Sequence, residues 1–156
     1  MPYPRDDHPE RHAKFFFRVG QVGLVPATVL VIVCAAELFF GAATLAREPN
    51  LESFLFVLSS LLALTLFGWG MSLADGYMRA VQCVVPGEVL VKLWSRTVQY
   101  NTILLTLCIA VGGYYVRQLR QHNVGWTVPA LWSALVLWFT YLVARARTAL
   151  RLATAL

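Results

Sequence analysis

Four long apolar segments constrain the fold of this chain more than any motif does. They run roughly over residues 23–46, 54–74, 98–116 and 126–144. A helix rises ~1.5 Å per residue, so each segment approaches or exceeds the ~20 residues that a helix needs to cross a ~30 Å hydrocarbon layer. We therefore predict an all-α integral membrane protein in which four transmembrane helices form an antiparallel bundle.

The composition excludes an ordinary soluble domain. Apolar residues make up 58% of the 156 residues and charged residues 13%, whereas soluble domains are about 45–50% apolar and about 25% charged. A soluble fold of this size could not hide so much apolar surface, because small domains bury the smallest share of their surface. The first apolar segment is too long for the core of a signal peptide, so we expect it to remain as an anchor.

The segments divide the chain into three parts. We predict a polar and aromatic arm with an interfacial helix over residues 1–22, a four-helix transmembrane domain over 23–144, and a basic helical extension over 145–156. The second connection, residues 75–97, has few turn residues apart from Pro86-Gly87. This favours a helical hairpin that protrudes from the membrane; the alternative is two short helices lying flat on the headgroups.

Basic residues are distributed unevenly between the two ends of the segments. One end carries three of them, Arg47, Arg117 and Arg120, and the other carries ten: Arg5, Arg11, Lys14, Arg18, Arg79, Lys92, Arg96, Arg145, Arg147 and Arg151. The positive-inside rule then predicts that both termini face the cytoplasm or the mitochondrial matrix. We call the end with ten basic residues the inner end, and expect the mitochondrial inner membrane rather than a bacterial plasma membrane. Interfacial aromatic belts are predicted at Phe15–Phe17, Trp94, Tyr100, Tyr114, Tyr115 and Trp126.

Glu37 is the ionisable residue that lies well inside an apolar segment, about eight residues or ~12 Å from the outer end of helix one. Charge at that depth is expensive, so the carboxyl group must be protonated, paired or functional. Residues predicted at similar depth on the other helices are Ser59, Ser60, Thr106 or Cys108, and Ser133. One interpretation is a proton or cation site. The other, which we favour, is a protonated carboxyl that donates to these hydroxyls or to a neighbouring subunit.

Charged residues at the segment ends suggest contacts at the membrane boundary. Asp75 closes the second segment, and Arg96 and Arg145 are expected at the same depth, so a boundary ion pair of Asp75 with Arg145 is predicted. Contacts with anionic phospholipids or with partner subunits are predicted for Arg18, Arg96, Arg117, Arg120, Arg145 and Arg147.

The sequence Ala36-Glu37-Leu38, with Gly41 following, resembles the first-helix motif of small multidrug-resistance transporters. Those proteins are also four-helix chains, in which a membrane-embedded glutamate on the first helix carries the coupled protons. The resemblance implies that Glu37 would have this role here. The chain departs from that family in its long second connection, its terminal extensions and its strong charge bias.

Motifs for catalysis are absent from the sequence, which contains no H-E-x-x-H, nucleophile elbow or glycine-rich phosphate loop. We therefore expect no catalytic, cofactor-binding or metal-ligating residues and no nucleic-acid partner. The expected function is a non-catalytic accessory subunit of a larger membrane complex, such as a respiratory or ATP-synthase assembly, with other membrane subunits and anionic phospholipids as partners. The alternative is a small proton-coupled transporter working through Glu37.

Overall fold

The computed structural model describes residues 9–47, 49–82, 85–120 and 125–155. These residues form four helices and no strand: α1 (Pro9–Arg47), α2 (Leu51–Gln82), α3 (Gly87–Arg120) and α4 (Thr127–Thr154). The all-helical prediction is confirmed for this part of the chain. Residues 1–8 of the predicted N-terminal arm lie outside the described residues, as does the side chain of Arg120.

The helices are longer than a membrane span requires. They contain 39, 32, 34 and 28 residues, and at 1.5 Å per residue even the shortest is ~42 Å long. Among the residues that the structure describes, two regions are long and apolar enough to cross a membrane by length and composition, Ser53–Gln82 in α2 and Thr127–Thr154 in α4, with mean hydropathies of 2.0 and 1.6. Only 6% of the apolar stretch in α2 and 17% of that in α4 is buried by the rest of the chain. Neither helix therefore resembles the core helix of a soluble protein, which is mostly buried.

Ala13–Gln82 forms one compact unit, here called the α1–α2 unit. Asn50 caps the start of α2, because its Oδ1 accepts a hydrogen bond of 2.7 Å from the Ser53 amide. The Phe16 ring lies 5.6 Å from the Tyr77 ring at one end, and Gly41 lies against Phe56 at the other. These contacts make α1 and α2 antiparallel neighbours, as the short connection between them predicts.

Cys83–Leu156 and Met1–His12 form the second unit, here called the α3–α4 unit. A stripe of buried residues runs along α3 at helical spacing, namely Trp94, Thr97, Asn101 and Cys108, and a matching stripe runs along α4, namely Leu142, Ala146, Ala149 and Ala153. The alanines allow α3 and α4 to approach closely. Near the other end of the pair, Tyr115 stacks on Trp132 with ring centroids 6.0 Å apart and an interplanar angle of 15°.

The prediction of interfacial aromatic belts is wrong for two residues. Trp94 has no exposed surface and Phe16 only 4%, so neither ring faces the lipid headgroups. Trp94 instead meets His12 edge to face, with ring centroids 6.4 Å apart. By contrast, Trp126 is 78% exposed and Tyr114 58% exposed, which is compatible with an interfacial position for both.

Candidate functional site

Glu37 lies within the continuous helix α1, ten residues before its last residue Arg47, or about 15 Å along the axis. Its side chain is half-buried. Cys34 and Gly41, three residues before it and four residues after it, are both buried, so this face of α1 is covered by protein. Since residues at these spacings share a helix face, the Glu37 carboxyl group lies at the edge of the packed face.

Ser60 is the hydroxyl that α2 places at the level of Glu37. A Cβ atom added at Gly41 would lie 2.8 Å from Phe56 Cδ1, so these two residues are opposite each other. The two helices are antiparallel and rise equally per residue. Glu37, four residues before Gly41, therefore lies at the same level as Ser60, four residues after Phe56. Ser60 is 2% exposed, so Glu37 and Ser60 form the most enclosed polar level within the apolar part of the α1–α2 unit, among the residues described.

The hydroxyl groups of the predicted polar belt donate their protons within their own helices. Ser59 and Ser60 both donate to the Phe56 carbonyl oxygen, at 2.8 and 3.1 Å. Thr106 donates to Thr102 O at 2.9 Å, and Ser133 donates to Pro129 O at 2.9 Å. A hydroxyl oxygen engaged in this way can still accept a hydrogen bond. Each of these hydroxyl groups can therefore still accept a hydrogen bond from a donor.

The belt itself spans two units. Glu37, Ser59 and Ser60 belong to the α1–α2 unit, whereas Thr106 and Ser133 belong to the α3–α4 unit. Ser60 is buried, and the side chains of Ser59, Thr106 and Ser133 are exposed. The level shared by Glu37 and Ser60 follows from contacts within one unit. A belt that includes all five residues stays a prediction.

An open cleft lies one turn further toward the outer end of the α1–α2 unit. It has a volume of about 300 Å³ and is lined by Phe40, Gly41, Thr44, Ser53 and Phe56. The cleft exists because Gly41 has no side chain, while the flanking Phe40 and Phe56 rings are 67% and 42% exposed. The Thr44 hydroxyl on its wall donates to Phe40 O at 2.9 Å. The cleft is thus mostly apolar, and sequence reasoning did not find it.

Asp75 forms an ion pair with Arg79 inside α2, with a distance of 2.8 Å between Oδ2 and Nη2. The two side chains are 51% and 73% exposed, so this pair contributes little to stability. Arg145 donates from Nη1 to the Tyr141 hydroxyl oxygen at 2.5 Å, inside α4. Asp75 and Arg145 belong to different units, and the predicted boundary ion pair between them stays a prediction.

The side chains predicted to contact lipids or partners are mostly at the surface. Arg145 is half-buried, and the exposed ones are Arg18, Arg96, Arg117 and Arg147.

Comparisons with protein families, with curated proteins and with solved structures each give no match. Function must therefore be inferred from the residues of this chain alone.

Proposed function

We propose that this chain is a non-catalytic accessory subunit that crosses the membrane four times within a larger multi-subunit membrane complex. We infer that both termini lie on the cytoplasmic or matrix side, since that end carries ten of the thirteen basic residues. The proposed setting is an energy-transducing membrane such as the mitochondrial inner membrane, in a respiratory or ATP-synthase assembly.

One observation carries this proposal: the outer half of α2 exposes many of its large apolar side chains. Six large side chains within three turns are 42–52% exposed: Phe54, Leu55, Phe56, Leu58, Leu61 and Leu62. On α1, Phe39 is 74% exposed. So much exposed apolar surface requires an apolar environment. Lipid tails or helices of another subunit would provide it.

The bulk of these side chains favours partner helices as part of that environment. Aromatic residues are enriched where proteins bind each other, since each ring buries 150–250 Å². The helices also extend well beyond a ~30 Å hydrocarbon layer, since α3 alone has 34 residues, or ~51 Å. Their inner ends therefore offer a further surface for a partner outside the membrane.

Native sizing tests the accessory role directly. The chain would be extracted in a mild detergent and its assemblies separated on a native gel, followed by identification of the polypeptides in each band. We expect a species many times heavier than the 17.4 kDa chain that contains other polypeptides in fixed ratio. A small homo-oligomer as the only species contradicts the proposal.

A second candidate function is proton-coupled transport through Glu37. It is supported by the shared level of Glu37 and Ser60 and by the cleft that opens one turn away. The variant Glu37→Gln removes the titratable proton and keeps the shape, and Glu88→Gln, at an exposed position on α3, is the matched control. Loss of a substrate-dependent proton flux in Glu37→Gln alone, with normal abundance, favours transport. Normal flux and assembly in both variants exclude it.

A further inference from the structure

Two pairs of basic residues lie at the inner end of the α3–α4 unit. Lys92 and Arg96 are four residues apart on α3, and Arg147 and Arg151 are four residues apart on α4, so each pair shares a helix face. All four side chains are exposed. We call these four residues the inner basic pairs.

The basic pairs point away from the packed faces of their helices. On α3, Arg96 follows the buried Trp94 by two residues, which is a rotation of ~200° at about 100° per residue. On α4, Arg151 follows the buried Ala149 by the same interval. Because α3 and α4 pack against each other through the buried stripes, both pairs face outward from this unit.

The depth of each pair matches the headgroup layer of a bilayer. Arg96 and Arg147 lie two and three residues beyond the apolar segments 98–116 and 126–144, which is ~3–5 Å along the helix axes. The polar layer on each side of the hydrocarbon is ~5–8 Å thick. Lys92 and Arg151 lie one turn further out, so each pair places one cation at phosphate level and one at its aqueous edge.

Apolar side chains continue the same faces toward the membrane interior. Ile103 lies two turns from Arg96 on α3 and is 38% exposed, and Leu137 lies four turns from Arg151 on α4 and is 71% exposed. A ligand lying along either face would meet positive charge first and aliphatic surface next. Free phosphate or an acidic peptide would use only the charged part.

We propose that the inner basic pairs bind the phosphate groups of anionic phospholipids, whose acyl chains lie along the exposed apolar surface below them. In the described stretches 87–97 and 141–155, Glu88 is the acidic residue against five basic ones, namely Lys92, Arg96, Arg145, Arg147 and Arg151. The surplus of positive charge at this end attracts anionic headgroups over zwitterionic ones. This inference depends on the membrane-spanning part of the proposed function and not on the accessory role.

The test compares lipid preference in two charge-matched variants of the full chain. Arg96→Gln/Arg147→Gln removes one cation from each inner pair, and the control, Arg47→Gln/Arg79→Gln, removes two exposed cations from the α1–α2 unit. Each protein would be reconstituted into phosphatidylcholine vesicles containing about one fifth phosphatidylglycerol. Spin-labelled phosphatidylglycerol and phosphatidylcholine would then report the relative association of each lipid with the protein.

The wild-type chain and the control variant should both prefer phosphatidylglycerol. In the inner variant the ratio of phosphatidylglycerol to phosphatidylcholine association should fall by a factor of at least about five. One basic side chain near an anionic membrane surface strengthens the attraction to that surface by about this factor. An unchanged preference in the inner variant, or an equal loss in both variants, would overturn the inference while leaving the proposed function intact. A chain that fails to float with the vesicles would overturn the membrane-spanning proposal itself, and the lipid site with it.

Discussion

Trp94 should contribute more to stability than any other tryptophan that the structure describes. It has no exposed surface and meets His12 edge to face at 6.4 Å. It also lies four residues before the apolar segment 98–116, or ~6 Å along the helix, so under the proposed topology its surroundings on unfolding are aqueous or headgroup-like. The free energy of transfer from water to the protein interior then contributes to the burial of Trp94, as it would not for a side chain at the centre of a membrane.

Trp94→Ala should lower the free energy of unfolding by about 3–5 kcal/mol, because it removes a large side chain that has no exposed surface and leaves a cavity. His12→Ala removes the edge contact with Trp94, and the loss of that contact should lower the free energy of unfolding by about 0.5–1.5 kcal/mol. In a double-mutant cycle the two effects should not add, because the ring contact is lost with either residue.

Stability would be measured by titrating sodium dodecyl sulfate into non-ionic detergent micelles and following near-ultraviolet circular dichroism, which reports aromatic packing. Trp126→Ala is the matched control, since Trp126 is 78% exposed and its removal should change stability by no more than about 0.5 kcal/mol. If Trp94→Ala destabilises the protein no more than Trp126→Ala does, the packing of α1, α3 and α4 around Trp94 described above is wrong.

Two further predictions concern the α1–α2 unit, and the first has a control position on α3. Gly41→Leu should destabilise the protein by about 1–3 kcal/mol in the same titration, because a Cβ atom there lies 2.8 Å from Phe56 Cδ1; Gly113→Leu, where nothing lies within 4 Å, should be neutral or stabilising by up to ~1 kcal/mol. Asn50→Ala should cost about 1 kcal/mol and speed amide exchange at Ser53, whose amide donates to Asn50 Oδ1 at 2.7 Å, while Asn50→Asp should retain the cap.

The sequence predicts the helices well because the information for them is local. Each apolar segment lies almost entirely within one helix, with only Trp126 just outside α4. The composition of residues 75–97 predicts helix beyond the apolar segments, and α2 indeed continues to Gln82 while α3 begins at Gly87. The first connection, Arg47-Glu48-Pro49-Asn50, is predicted to be a tight turn, and Asn50 there accepts the hydrogen bond from the Ser53 amide that caps α2.

The sequence does not show which aromatic residues face lipid and which face protein. Trp94 and Trp126 both stand at the end of an apolar segment, yet one is buried and the other is 78% exposed. The information that distinguishes them lies on another helix, because α3 pairs with α4, whose inner end carries the small buried residues Ala146 and Ala149. Only the pairing of α3 with α4 connects these residues, and no local pattern reveals it.

The polar residues illustrate a second limit. Ser59, Ser60, Thr106 and Ser133 were predicted to share a belt because their depths agree. A hydroxyl inside a helix, however, can always reach the carbonyl oxygen three or four residues earlier, and all four donate in that way. The depth of a residue predicts which side chains it could meet. The geometry of the helix nevertheless lets each hydroxyl donate to a carbonyl oxygen of its own helix.

The distribution of buried side chains within each unit connects the fold to the proposed role. In the α3–α4 unit, the residues with no exposed surface are Trp94, Thr97, Ala146 and Ala149, all near the inner end, while Leu131 and Leu137, well inside the last apolar segment, are 61% and 71% exposed. In the α1–α2 unit, Leu73 and Tyr77 are buried and Leu55 and Leu58 are half-exposed. A water-soluble protein would bury its most apolar stretches first, because that is where burial is most favourable. Here the side chains with the least exposed surface lie near the inner end, and large side chains of the most apolar stretches stay exposed, which is the arrangement that the proposed role predicts.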